Sequence, residues 1–270
     1  MKRVALCADD FGLHRHVDEG IADLAAAGRL GAVSCLAEAS RFAADLPGLL
    51  AHPRCAAGLH LSLTEGFGAA PDVPLALLLA RCGARLADAG AVERRLAAQL
   101  DAFERAAGRP PSFVDGHRHV HQLPVVRDVL VRVLGSRYPE RPPLVRCTVP
   151  RSHRGAKAAL VAALGGRALR RRLLRHRLPH NLDFAGVYGL GAGADYPALM
   201  RSWLARIGDG GMIMCHPGRP GGQSDPIAPA RAAELRYLAS AAFLEDCAAA
   251  GVALVALAEL AGPAGGRPSP

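Results

Sequence analysis

Short apolar runs alternate with longer stretches whose apolar positions recur at helical spacing, and this alternation continues for almost the whole chain. The β-type runs are residues 4–8, 32–36, 57–62, 112–115, 144–149, 184–187, 212–215 and 252–255. Between them, residues 17–27 read as a helix stopped by Gly28, and a second helix is predicted around 41–51. Val92, Leu96, Leu100, Phe103 and Ala107 mark one face of a long helix that Gly108-Arg109-Pro110-Pro111 ends. Pro124 opens another helix bearing Val125, Val129 and Val133, and a last one is predicted over 229–250. Residues 66–74, rich in Gly and Pro, read as a loop that could cover a site. Repeated βα units with short connections predict an α/β protein, a modified (β/α) TIM-like barrel of about seven or eight strands, with a doubly wound open sheet as the alternative. We expect one catalytic domain over 1–261 and a frayed tail over 262–270.

Composition narrows the class. Of 270 residues half are hydrophobic and 21% charged, which excludes a disordered chain, and no apolar run approaches the ~20 residues of a membrane span. Lys2 and Arg3 precede too short an apolar run for a signal peptide, so a cytoplasmic address is expected. The seven cysteines are scattered without a CxxC pair and read as small buried hydrophobes. The net charge of +9 is uneven: residues 141–182 carry eleven Arg or Lys and no acid, so the rest of the chain is close to neutral. Within residues 167–178, Leu169, Leu173, Leu174 and Leu178 recur near helical spacing among arginines. That pattern fits either a solvated surface helix or a patch for an anionic membrane surface, which would place the protein peripherally on the inner membrane face. No zinc finger or RNP-type motif accompanies the charge, so no specific nucleic-acid partner is expected. The oligomeric state is open, a homodimer being compatible with the sequence.

The informative polar residues fall at strand ends. Asp9-Asp10 follows the first run, His60 ends the third, Asp115, His117, His119 and His121 follow the fourth, and His216 follows the run 212–215. In parallel barrels these ends form one rim, so residues distant in sequence converge. The three alternate histidines 117, 119 and 121 would share one side of an extended backbone. A carboxylate with two imidazoles is a ligand set for one divalent metal ion, zinc or magnesium, and a second carboxylate can take a proton from the attacking water. Asp9 and Asp10 can divide these two tasks. The reading is a metal-dependent hydrolase; a metal-dependent phosphoesterase and a non-catalytic anionic-lipid-binding protein are the alternatives.

Four segments, Ala8-Asp9-Asp10-Phe11-Gly12, Gly58-Leu59-His60-Leu61-Ser62-Leu63-Thr64, Asp115-Gly116-His117-Arg118-His119-Val120-His121 and Cys215-His216-Pro217-Gly218, resemble in order the YdjC-like carbohydrate deacetylases, the ChbG/HpnK family. The resemblance implies a barrel related to polysaccharide deacetylases and metal-dependent removal of an N-acetyl group from an amino sugar, chitooligosaccharide-like or carried on a glycolipid. It implies Asp10, His60 and His117 as metal ligands, Asp9 as general base and His216 on the far rim, there to protonate the leaving amine or to bind substrate. Phe11, Arg118, His119, His121 and Pro217 would be substrate contacts. Arg118 stands where many relatives carry an imidazole, which points to a more anionic substrate, and the compact stretch 66–91 would leave the site open to a bulky one. Phe113-Val114-Asp115-Gly116-His117 and His121-Gln122-Leu123-Pro124 look closer to the branch associated with hopanoid lipid biosynthesis.

Overall fold

The computed structural model describes residues 1–191, 193–222 and 225–260. Among these residues, eight parallel strands form one sheet: β1 (Lys2–Phe11), β2 (Ala32–Cys35), β3 (Ala56–Leu61), β4 (Phe113–Gly116), β5 (Leu144–Val145), β6 (Asp183–Ala185), β7 (Gly211–Cys215) and β8 (Val252–Leu254), in the order β5-β4-β3-β2-β1-β7-β6 with β8 also on β1. β1 is the hub. On one edge Val4 to Ala8 pair with β7, and on the other Lys2 to Val4 pair with β8 and the residues from Cys7 onward with β2. Because both faces of a parallel sheet are covered, β1 is buried from Val4 through Phe11 and reads as an apolar run until Asp9.

The sheet curls. In a flat sheet β5 and β1, four strands apart, would be roughly 19 Å distant. Instead Arg146, the residue after β5, reaches the Asp9 carboxylate on β1 at 2.6 and 2.7 Å. The curl stops short of a laddered barrel: among the described residues β5 and β6 do not pair, and the isolated bridge Val145–His180 ties β5 to the segment before β6. The residues predicted to extend β5 to 149 leave the ladder: the Cys147 amide donates to the Asn181 side chain instead of to a strand.

Among the described residues, ten α-helices surround the sheet: α1 (Arg15–Ala26), α2 (Phe42–Leu50), α3 (Leu75–Gly83), α4 (Ala89–Ala107), α5 (Val126–Arg137), α6 (Ala156–Val161), α7 (Arg167–Arg175), α8 (Tyr196–Arg206), α9 (Ala228–Ala239) and α10 (Ala241–Ala249). Helix α4 buries the predicted face Val92, Leu96, Leu100 and Phe103, and ends at Gly108 in the left-handed conformation. The single helix predicted over 229–250 is two helices. Ser240 adopts an extended backbone between them, and its hydroxyl caps the Phe243 amide of α10. Gly165-Gly166 lies in one π turn (Ala162–Gly166) joining α6 to α7. A Cβ at Gly165 would stand 2.2 Å from the Gln122 carbonyl oxygen, so a glycine is needed for the contact between this turn and the segment after β4. Helix α7 buries Leu169 and Leu173 in the core, and only Leu174 of its leucines is left outside. The predicted tail lies outside the described residues.

Candidate active site

A cavity of about 590 Å³ opens at the C-terminal ends of the strands, lined by Asp9, Asp10, His60, His117, Arg118, His119 and His216 among others. They come from the ends of four strands, β1, β3, β4 and β7, or the turns after them, so the placement is a property of the parallel topology. Asp9 and Asp10 occupy an irregularity in the β1–β2 register between Ala8 and Phe11, and Asp10 sits at φ 74°. Aspartate tolerates this left-handed conformation better than most residues. The bulge lets two adjacent carboxylates serve different partners.

Asp9 turns into the barrel. Both its oxygens accept from Arg146, and the same guanidinium also meets Asp115 Oδ2 at 2.6 Å. Asp10 turns to the rim: its Oδ1 lies 2.9 Å from His117 Nδ1 and 3.4 Å from His60 Nε2, while its Oδ2 accepts from Arg231 at 2.7 Å. His60 sits directly opposite Asp115 in the β3–β4 register, and its Nδ1 is 2.6 Å from Asp115 Oδ1 and 2.9 Å from the Ser34 hydroxyl of β2. Ser34 in turn donates to Asp115. These partners fix Nδ1 as a protonated nitrogen, which leaves Nε2, facing Asp10, as the nitrogen that would give up its proton to a metal.

The electrostatics follow from this packing. Burial opposes the charge on Asp10, but Arg231 and His117 hold its carboxyl well below the usual carboxylate range. Burial also opposes a charged His60, yet Asp115 and Asp9 push its imidazole up to about 10. His117 is likewise raised against its burial by Asp10. A buried pocket that pulls protons onto two histidines is one in which a cation is favoured. One Asp10 oxygen and one nitrogen each from His60 and His117 lie within 4.8 Å of one another, so the donor set fits a divalent ion. Cys7, Asp9 and Asp115 meet the same distance limit, but the Arg146 guanidinium already occupies the space among them as their counter-charge.

His216 enters from β7, on the other side of β1 from His60. Its amide donates to Glu234 at 2.6 Å, its Nδ1 has no hydrogen-bond partner among the described residues, and burial lowers its imidazole to about 4. A Cβ at Gly20 on α1 would stand 2.7 Å from Gly218 Cα, so a glycine at position 20 is what lets α1 approach this turn. Burial pushes Glu234 up to about 7, with Tyr188 and the His216 amide opposing the rise.

Several expected contacts are placed elsewhere. Residues 117–122 form a 3-10 segment with Arg118 and His119 left-handed, so the three histidines do not share one side of an extended strand. His119 reaches the cavity and rests edge-on against Phe184, whereas His121 is fully buried with Nε2 3.0 Å from the Arg146 carbonyl oxygen. Phe11 packs in the core, and neither it nor Pro217 lines the cavity. Arg118 is paired with Glu65 at 2.8 Å, so its charge has a partner within the chain. No residue of 66–74 lines the cavity; Glu65 and Leu75, at the two ends of that loop, do, and α3 adds Leu79, so the stretch 66–91 supplies a wall. The chain pattern missed Arg146, Arg231, Glu65 and Glu234. Arg146 carried a signal, a lone charge inside the apolar run 144–149.

A curled parallel sheet with carboxylates and imidazoles gathered on its C-terminal rim defines the class: an α/β barrel-like protein with a candidate metal centre. Residues 3–249 match the family model described as YdjC-like protein, and the chain belongs to that family. It is 31% identical to a human protein named carbohydrate deacetylase, over 96% of this chain and 91% of that one. A Geobacillus stearothermophilus protein of the same name is 32% identical over 93% and 95% of the two chains. Among solved structures, an Enterococcus faecalis protein described as a putative cellobiose-phosphate cleavage protein shares the fold at a TM-score of 0.73 and 18% identity, over 97% and 99% of the chains.

Proposed function

We propose that this protein is a carbohydrate deacetylase that hydrolyses the N-acetyl group of an amino sugar, using a divalent metal ion held by Asp10, His60 and His117. The observation that carries the reading is the convergence of those three donors, with Asp9 beside them, on one cavity. Family membership and the names of its relatives support the reaction class. When bound, the ion supplies Lewis acidity toward the acetyl carbonyl and makes the attacking water more acidic. Two imidazoles in the set favour zinc over magnesium.

Asp9 accepts the proton of the attacking water. Arg146, spanning Asp9 and Asp115, holds that carboxylate in place. His216, neutral at pH 7, stands across the cavity from His60, takes up a proton and delivers it to the departing amine. Arg231 fixes the orientation of Asp10, and Ser34 and Asp115 fix that of His60. Arg118 and His119 contact the sugar from the segment after β4, and the leucines of α3 face whatever the sugar is attached to, free glycan or lipid.

The test is acetate release from N,N′-diacetylchitobiose and from an N-acetylglucosaminyl lipid by protein stripped with a chelator and reloaded with single metals. Release restored by zinc or magnesium on either substrate is the expected result and tells free from lipid-linked sugar. Stoichiometric metal without acetate from either would reject the deacetylase assignment while keeping the metal site.

A further inference from the structure

Helices α5 and α7 enclose a second cavity of about 190 Å³ that shares no lining residue with the rim cavity. Its walls are Arg127, Ala168, Arg171, Arg172 and Arg175. Arg127 is only 8% exposed; its Nη1 donates to the Gln122 carbonyl at 3.1 Å, and its Nε is buried with no hydrogen-bond partner. The carboxylate facing this group is Asp128, and it is shared: Arg172 Nε lies 2.6 Å from it, Arg85 Nη1 3.7 Å and Arg127 Nε 3.8 Å, the last beyond hydrogen-bond reach. Arg171 and Arg175 form no ion pair among the described residues. Burial depresses the Arg127 guanidinium, Asp128 opposes that, and Arg172, Arg85 and Arg171 add to it.

We propose that this cavity binds a phosphate group, either free or as the headgroup of a phosphomonoester lipid. Four guanidinium groups around one space offer forked donors to several oxygens at once, which matches a multiply charged tetrahedral anion better than a single carboxylate. The volume is far above the roughly 10–15 Å³ that one water needs, so a phosphate and part of its substituent fit. A phosphate would neutralise the surplus charge that Asp128 leaves on these arginines. Helix α7 does not lie flat in a bilayer, because Leu169 and Leu173 are fully buried against the core; any membrane contact here runs through the headgroup.

The experiment compares the full-length protein with the R171Q/R175Q variant, two exposed side chains whose change leaves the core intact. Thermal unfolding is followed against inorganic phosphate at constant ionic strength in chloride, and co-sedimentation is measured with phosphatidylcholine vesicles with and without phosphatidic acid. Phosphate at about ten times its Kd is expected to raise Tm by about 2–4 °C in the native protein and not in the variant. Variant-sensitive sedimentation with phosphatidic acid assigns the lipid source, and its absence alongside the Tm shift assigns a soluble phosphate. A Tm rise equal in both proteins would put the anion elsewhere, and the absence of any variant-sensitive binding of either probe would equally overturn the proposal. Acetate release by the variant stays at the native level, which separates this site from the rim chemistry.

Discussion

At the scale of single residues, the site depends on how two adjacent aspartates are separated. Their order in the sequence makes them equivalent; the bulge at the end of β1 makes one a partner of Arg146 and the other a partner of His60 and His117. Asp9→Asn is expected to lower kcat by about 10²–10⁴-fold while leaving metal stoichiometry unchanged, measured by acetate release and metal analysis on the same sample. Arg146 retains Asp115 in that variant, so no buried charge is orphaned and the fold persists. Metal lost together with activity would make Asp9 a ligand. Asp10, His60, His117 and His216 were legible in the chain because polar residues ending apolar runs are improbable. Arg231 was not, because α9 shows no apolar stripe that would set its buried face apart, and an arginine there has the pattern of a solvated one. Its burial beside Asp10 and Asp225 comes from how α9 packs on the rim.

Among the elements, the segment from β4 to α5 carries the most function in the least regular backbone. Alternating histidines predicted an extended run, yet a 3-10 turn with two left-handed residues directs His117 to Asp10, His119 to the cavity and His121 to the Arg146 carbonyl. This segment is braced from outside by the π turn between α6 and α7. Gly165→Ala is therefore expected to push the turn off the Gln122 carbonyl, costing about 1–3 kcal/mol in urea unfolding. Because Gln122 lines the cavity, kcat/KM for acetate release should fall as well, with metal content retained. Unchanged stability would show that the turn shifts freely. The charge-rich segment 141–182 divides the same way. Arg146 and Arg154 are buried on Asp9, Asp115 and Asp183, and α7 presents its arginines outward over an apolar stripe that serves the core.

For the molecule as a whole, the barrel interior is an ion-pair lattice whose stability must depend on pH. Glu234 accepts from Tyr188 and from the His216 amide, and its carboxyl is raised to about 7 from an ordinary value near 4.5. Between those values the folded state binds a proton that the unfolded state has released. The contribution of Glu234 is thus fully present below about pH 4.5, is lost as pH climbs to about 7, and is flat above that. His216, lowered to about 4, acts in the opposite sense, because the unfolded chain protonates it first. The difference between native protein and Glu234→Gln isolates the first effect: their stability gap, read from urea midpoints, should narrow as pH rises from 4.5 to 7 and then hold constant. A gap that does not vary with pH would place the carboxyl at its ordinary value. No described helix is long and apolar enough to cross a membrane.

The sequence by itself determined the alternation of strands and helices, the parallel sheet that follows from it, and the set of acids and imidazoles at strand ends. These are local consequences of side-chain period and of where polar residues interrupt apolar runs. Only the tertiary structure decided that the sheet curls without closing its ladder, that Asp9 and Asp10 part company, and that Arg146 and Arg231 belong to the site. Those outcomes depend on which buried charges meet across the barrel, and a charge taken out of water is stable only against a partner that chain order does not reveal.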